Sequence, residues 1–232
     1  MEKFKINSFD KYIDLSHSIS HGTVTFPGDP PASITTYLDR KTVSKQNGGG
    51  PYSSSEINKI TLVSTSGTYM DAPYHVFEDG KKIKDYPLEK LVNIPSIVIQ
   101  ISNDRPFFDV QDVEGMNVKG KAVLFSSGHD RLFMTSKYGN NAPYLTVELA
   151  NVLVEQQAAF VGIDTPLVDN ISTLSNIGTP VHYILLGAEI PICEDMRNLQ
   201  ALPSSDFTIT AVPPAVDLES FPVRVFASIR DN

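Results

Sequence analysis

Tryptophan is absent from these 232 residues, and cysteine occurs once, as Cys193. A single thiol excludes an intrachain disulfide and any zinc cluster built on cysteine. Apolar runs are short, and none approaches the ~20 residues that a membrane-spanning helix needs. Positive charge is scarce: 19 Lys+Arg against 27 Asp+Glu give a formal charge of −8. An acidic chain without a basic stripe is a poor nucleic-acid binder. The opening residues 1–7 hold two lysines but no apolar stretch of a secretory leader, so a cytoplasmic location is expected. Three familiar motifs are also missing: the Gly-x-Ser-x-Gly elbow, the Gly-x-x-x-x-Gly-Lys phosphate cradle, and Gly-x-Gly-x-x-Gly after a strand. Cys193 lies between Ile192 and Glu194, surroundings that raise a thiol pKa, so no thiolate nucleophile is expected.

What is present is ordinary globular composition, 41% apolar and 20% charged with 14 Gly and 16 Pro, which excludes collagenous, coiled-coil and disordered chains. Short apolar runs bounded by Pro, Gly and Asn predict buried strands at 96–102, 121–126, 159–164 and 190–193, with further strands at 12–20, 57–63, 207–212 and 223–229. Helices are expected over 146–157, capped by Thr146, over 180–186, and as a short piece from Phe108 to Gly115 capped by Asp109. The polar stretch from Asp39 to Glu56, with Gly48-Gly49-Gly50-Pro51, reads as a surface loop, either a lid over a site or an inert connection. Helices and strands mix throughout without a repeat, so residues 1–232 are read as one α/β domain.

The densest chemistry lies in Ser64-Thr65-Ser66-Gly67-Thr68-Tyr69-Met70-Asp71-Ala72-Pro73-Tyr74-His75. If 65–71 is extended, Thr65, Tyr69 and Asp71 share one face. Pro73 then turns the chain and lets His75 fold back toward it. A carboxylate and an imidazole on one rim are parts of a metal site with a general base; an Asp capping a turn beside a surface His is the other reading. His182 and Glu194 are embedded in apolar sequence, where charges are tolerated only when paired or bound to a cation. A hydrogen-bonded core histidine remains open for His182.

These segments resemble one family. Residues 66–75 are similar to the signature His-x-Gly-Thr-His-x-Asp-x-Pro-x-His of the cyclase-like metal-dependent hydrolases, which include bacterial kynurenine formamidases (arylformamidases) and isatin hydrolases. The likeness extends in order through Asp14-Leu15-Ser16-His17, Phe26-Pro27-Gly28-Asp29, Gly162-Ile163-Asp164-Thr165-Pro166, Pro180-Val181-His182, Glu194-Asp195-Met196 and Phe221-Pro222-Val223-Arg224. The resemblance implies a swivelling β/β/α-type α/β fold, a mixed, partly barrel-like β-structure with helices packed outside, and a homodimer or homotetramer. It implies a metal centre held by two motif histidines, the motif Asp71 and the late His182 and Glu194, with His75 as the catalytic base. Those two motif histidines are replaced, by Thr65 and Tyr69; without them, one divalent metal ion (Zn, Mn or Fe) is expected on Asp71, His182 and Glu194. The family's Thr-Gly-Trp reads Ser127-Gly128-His129 here, so His129 either lines the pocket or caps a strand. With Phe26, Tyr69 and Tyr74 it would make a partly aromatic substrate pocket. The implied activity is hydrolysis of an amide, lactam or ester in a small aromatic molecule, arylformamidase-like and part of tryptophan catabolism. The loss of two histidines also fits a non-catalytic small-molecule-binding protein, and a cyclase or lyase using Tyr69 as acid/base is a third reading.

Overall fold

The computed structural model describes residues 11–102 and 104–230; the reading of residues 1–7 lies outside them. The elements are β1 (Lys11–Asp14), β2 (Ser33–Leu38), α1 (Arg40–Gln46), β3 (Ile57–Thr61), β4 (Tyr69–Asp71), β5 (Ile94–Gln100), β6 (Phe107–Phe108), β7 (Ala122–Ser126), β8 (Tyr144–Leu145), α2 (Val147–Glu155), β9 (Phe160–Ile163), α3 (Leu174–Ile177), α4 (Pro180–Gly187), β10 (Ile192–Glu194), β11 (Phe207–Ala211), β12 (Ser220–Pro222) and β13 (Val225–Ile229). Nine of these strands form one sheet in the order β1-β13-β11-β5-β7-β9-β10-β4-β12. Its centre, β5-β7-β9-β10, is parallel, and the outer strands are antiparallel. The sheet curls into a half-barrel, the mixed, partly barrel-like β-structure expected of the fold.

Strand alternation builds two cores. Leu124, Phe160, Cys193 and Met70 point into the curl with Leu15, Met196 and Ile209. Val123, Phe125, Val161, Ile163 and Ile192 point outward and are covered by Leu149 and Leu153 of α2 and Val181 and Leu185 of α4. The curl is tight at β9: a Cβ on Gly162 would lie 2.4 Å from Met196 Sδ. Thr146 caps α2 as its position predicts, accepting from Leu149 N–H at 3.2 Å.

Three readings need correction. The polar stretch 39–56 is not all loop: Asp39 accepts from the Lys41 and Thr42 amides at 2.9 and 3.0 Å and starts α1. This capping signal was masked by the lack of an apolar face, only Val43 being buried. From Phe108 to Gly115 the chain is no full helix; Asp109 caps a 3₁₀ turn over Val110–Val113. Strand character in 12–20 stops at Asp14, after which Ser16 makes a single bridge to Met196.

His17, just beyond that strand, stacks on Phe133 with ring centroids 3.8 Å apart. Its buried Nε2 has no partner among the described residues. Burial, helped by Arg197, lowers its pKa to about 4. Between pH ~4 and ~6.5 the unfolded chain therefore binds a proton that the folded chain refuses, so stability falls as pH drops through that window. The shift corresponds to at most about 3 kcal/mol, which partial exposure reduces to about 1–2 kcal/mol. His17→Phe keeps the stack and removes the titration. Urea melts at pH 7 and pH 4.5 should differ by about 1 kcal/mol less in the variant than in wild type; an equal difference would mean that His17 does not carry the acid sensitivity.

Candidate active site

The site forms where three short strands meet α4. Strand β4 is paired on both sides: Asp71 stands opposite Ile192 of β10 and Ser220 of β12, and Tyr69 opposite Glu194 and Pro222. Alternation therefore sends Tyr69, Asp71, Glu194 and Ser220 to one face and Met70 and Cys193 into the core. Glu194 belongs to the strand itself, one residue beyond the predicted end, and that places it on this face. Gly67 turns the chain just before β4 with φ +69°, where a Cβ would lie 2.7 Å from Ile19 Cγ1. The extended stretch thus starts at Tyr69 and not at 65. Thr65 sits in a turn and is half-buried.

Helix α4 starts with Pro180 and carries His182, which is 1% exposed. Its Nδ1 lies 2.6 Å from Asp169 Oδ2. The same carboxylate accepts from the backbone N–H groups of Val181 at 2.8 Å and His182 at 3.1 Å. Asp169 thus caps the helix and fixes the imidazole with Nδ1 as donor, leaving Nε2 to face the site. That Nε2 lies 3.7 Å from Asp71 Oδ2 and 3.4 Å from Glu194 Oε1.

The two carboxylates are held differently. Asp71 Oδ1 accepts from Ser220 Oγ, whereas Asp71 Oδ2 is buried and has no hydrogen-bond partner among the described residues. Glu194 uses both oxygens: Oε1 accepts from Val168 N–H at 2.6 Å and Oε2 from the Tyr69 hydroxyl. Burial lifts the Glu194 carboxyl to about 8, with His182 opposing the rise. The Tyr69 phenol is pushed well above its usual value by burial and by Glu194. For His182, burial works against the charged form and is outweighed by Glu194, Asp169 and Asp71, so its pKa rises.

His75 ends a 3₁₀ turn over Pro73–His75 and stands at the rim, its side chain 32% exposed. Its Nδ1 lies 3.2 Å from Ser220 Oγ and 3.9 Å from Asp71 Oδ1, and its ring is 5.7 Å from that of His182. Asp71, His75 and His182 each bring a ligand atom within 4.8 Å of the others, a group able to hold a metal ion. Two ligands on one Zn²⁺ at about 2.0–2.2 Å lie roughly 3.3–3.6 Å apart in a tetrahedron. The spacings about His182 Nε2 match that to within a few tenths of an ångström, and the bare Asp71 Oδ2 is an acceptor that a cation would satisfy. The donor set fits a divalent cation.

Asp71, His75, His182, Glu194 and Tyr69 come together; Tyr74, His129 and Phe26 make contacts of their own. Tyr74 faces solvent with Lys82 Nζ 4.5 Å over its ring. His129 is buried, with Nε2 2.6 Å from the Tyr138 carbonyl oxygen. Phe26 is half-buried in the turn before Pro27. Among the described residues, no hydrogen bond or ring contact links any of these three to the cluster. The sequence reading missed Asp169 and Ser220. An acid directly after Leu167-Val168 was a usable signal for the first; nothing marked Ser220, whose place comes from strand pairing.

Known proteins resemble this chain in sequence and in fold. The Cyclase family model matches residues 13–170. Kynurenine formamidase of Bacillus mycoides (strain KBAB4) is 29% identical over 217 residues, 92% of this chain and 95% of its own. Isatin hydrolase A from Ralstonia solanacearum superimposes with a TM-score of 0.79 at 22% identity, over 95% of this chain and 92% of its own. Isatin hydrolase A from Labrenzia aggregata, bound to benzyl benzoate, gives 0.80 at 21% identity over 95% and 94%. With the family model covering more than half its length, the chain belongs to the Cyclase family.

Proposed function

We propose that this chain is a metal-dependent hydrolase that opens an amide, lactam or ester carbonyl in a small aromatic molecule, with arylformamidase-like cleavage as the leading case. The observation that carries it is the bare, buried Asp71 Oδ2 facing His182 Nε2 at 3.7 Å, with a partly exposed imidazole beside them. Asp71, His182 and Glu194 Oε1 are the ligands, and Asp169 keeps the His182 ring in register. A divalent cation held there supplies Lewis acidity and lowers the pKa of a water near the substrate carbonyl. His75 takes and returns the proton. Ser220 Oγ gives its hydrogen to Asp71 Oδ1, so it accepts from His75 Nδ1–H and leaves Nε2 with the lone pair. The kynurenine formamidase relatives and the isatin hydrolase fold support a hydrolase, and a role in tryptophan catabolism belongs to the same reading.

The protein is proposed to act in the cytoplasm as a homodimer or homotetramer. In support, the antiparallel β2–β3 pair exposes Tyr37, Ile57 and Ile60, as an arm that packs against another copy would. No helix of the described residues is long and apolar enough to cross a membrane. The test is metal content after purification, then turnover on formanilides, lactams and lactones with Mn²⁺ or Zn²⁺ added or chelated. Chelator-sensitive hydrolysis is expected. Metal-free protein with no turnover on any of them would favour the small-molecule-binding reading.

A further inference from the structure

The chemistry just described gives Tyr69 no part, although it lies at the centre of the cluster. Its ring is 5% exposed and stands directly across the β4–β10 pairing from Glu194. A phenol has one hydrogen to donate, and here it goes to Glu194 Oε2. On the other oxygen, Val168 N–H donates at 2.6 Å. Two donors on opposite oxygens fix the plane of a carboxylate that is itself fully buried. The oxygen facing His182 Nε2, at 3.4 Å, is then Oε1. A tyrosine coordinates a cation only as phenolate, whereas this hydroxyl keeps its hydrogen engaged. Thr65, half-buried in its turn, adds no imidazole.

Resting on the cation-binding reading above, we infer that Tyr69 is a positioning residue: it binds no metal and instead locks Glu194 so that one oxygen faces His182, setting the centre to a single divalent cation. Hydrogen-bond partners of ligating carboxylates act on metal affinity through the ligand they orient, commonly by 10–100-fold.

Calorimetric titration of chelated, metal-free protein with Mn²⁺ or Zn²⁺ alone tests this without reference to turnover. Wild type should take up one cation per chain. Tyr69→Phe should take up no more than one, about 10–100-fold more weakly. In a Glu194→Gln background the same Tyr69→Phe change should have little further effect, because its route to the metal is gone. Unchanged affinity in the single variant, or an equal loss in both backgrounds, would overturn the inference. Wild type supplies a measurement independent of how the variants fold. Near-ultraviolet difference absorbance should show no tyrosinate band as metal is added, and a band growing with one equivalent would make Tyr69 a ligand and overturn the proposal. A wild type that binds neither cation sinks the metal reading and this inference together. One that binds a single cation yet hydrolyses nothing sinks the hydrolase reading alone.

Discussion

Replacing His75 with alanine is expected to lower turnover by a factor of about 10²–10⁴, the usual contribution of a positioned general base, while metal content stays at the wild-type level. The imidazole is the most exposed member of the cluster, on a turn after β4 and not on a strand, so truncating it leaves the pairing of β4 with β10 and β12 intact. Its Nδ1 is committed to Ser220, which in turn is committed to Asp71. The free Nε2 is therefore the atom that can exchange a proton with a water or leaving group. Turnover measured at saturating metal, beside metal analysis of the same preparation, separates the two roles. A folded variant that has lost its metal would make His75 a ligand and leave the base unassigned.

Asp169→Asn should weaken cation binding by about 10–100-fold without touching any atom proposed to contact the metal. The present carboxylate serves three donors: His182 Nδ1, the Val181 amide and the His182 amide. An asparagine has one acceptor oxygen and must turn its NH₂ toward one of these, so either the imidazole loses its anchor or the helix loses its cap. Loss of the cap costs about 1 kcal/mol, which urea melts in chelator would register. Calorimetric titration with Mn²⁺ registers the other effect. Lower stability with unchanged affinity would mean that Asp169 only caps α4.

The sequence was most informative where local chemistry decides structure. The caps at Thr146 and Asp109, the start of α4 at Pro180, and the buried strands β5, β7 and β9 follow from capping side chains and short apolar runs, and the structure has all of them within a few residues. His182 and Glu194 could be singled out because ionisable groups amid apolar neighbours need a reason to be there, and Asp71 by its spacing from His75 and its place in the family signature. The strand parity expected from Thr65 to Asp71 needs extended chain through Gly67, whose left-handed conformation interrupts it before β4. Ser220 was unreadable for a different reason. A serine acquires its meaning only from the residue opposite it, and that opposition is a property of the sheet order.

That sheet order has a consequence for how the site comes into being. Strand β4 is three residues long, and its neighbours β10 and β12 are drawn from the last third of the chain. Ser220 meets Asp71 across 149 residues. Closing loops of that length costs entropy before any contact offsets it, and contacts of this separation slow folding. During synthesis, Asp71 and His75 therefore leave the ribosome long before the strands that would flank them exist. A nascent chain that stops short of β12 leaves Asp71 Oδ1 without Ser220 and His75 without its anchor. The cluster is thus a late product of folding, completed only when the last strands dock, and no shorter intermediate of synthesis presents a finished site.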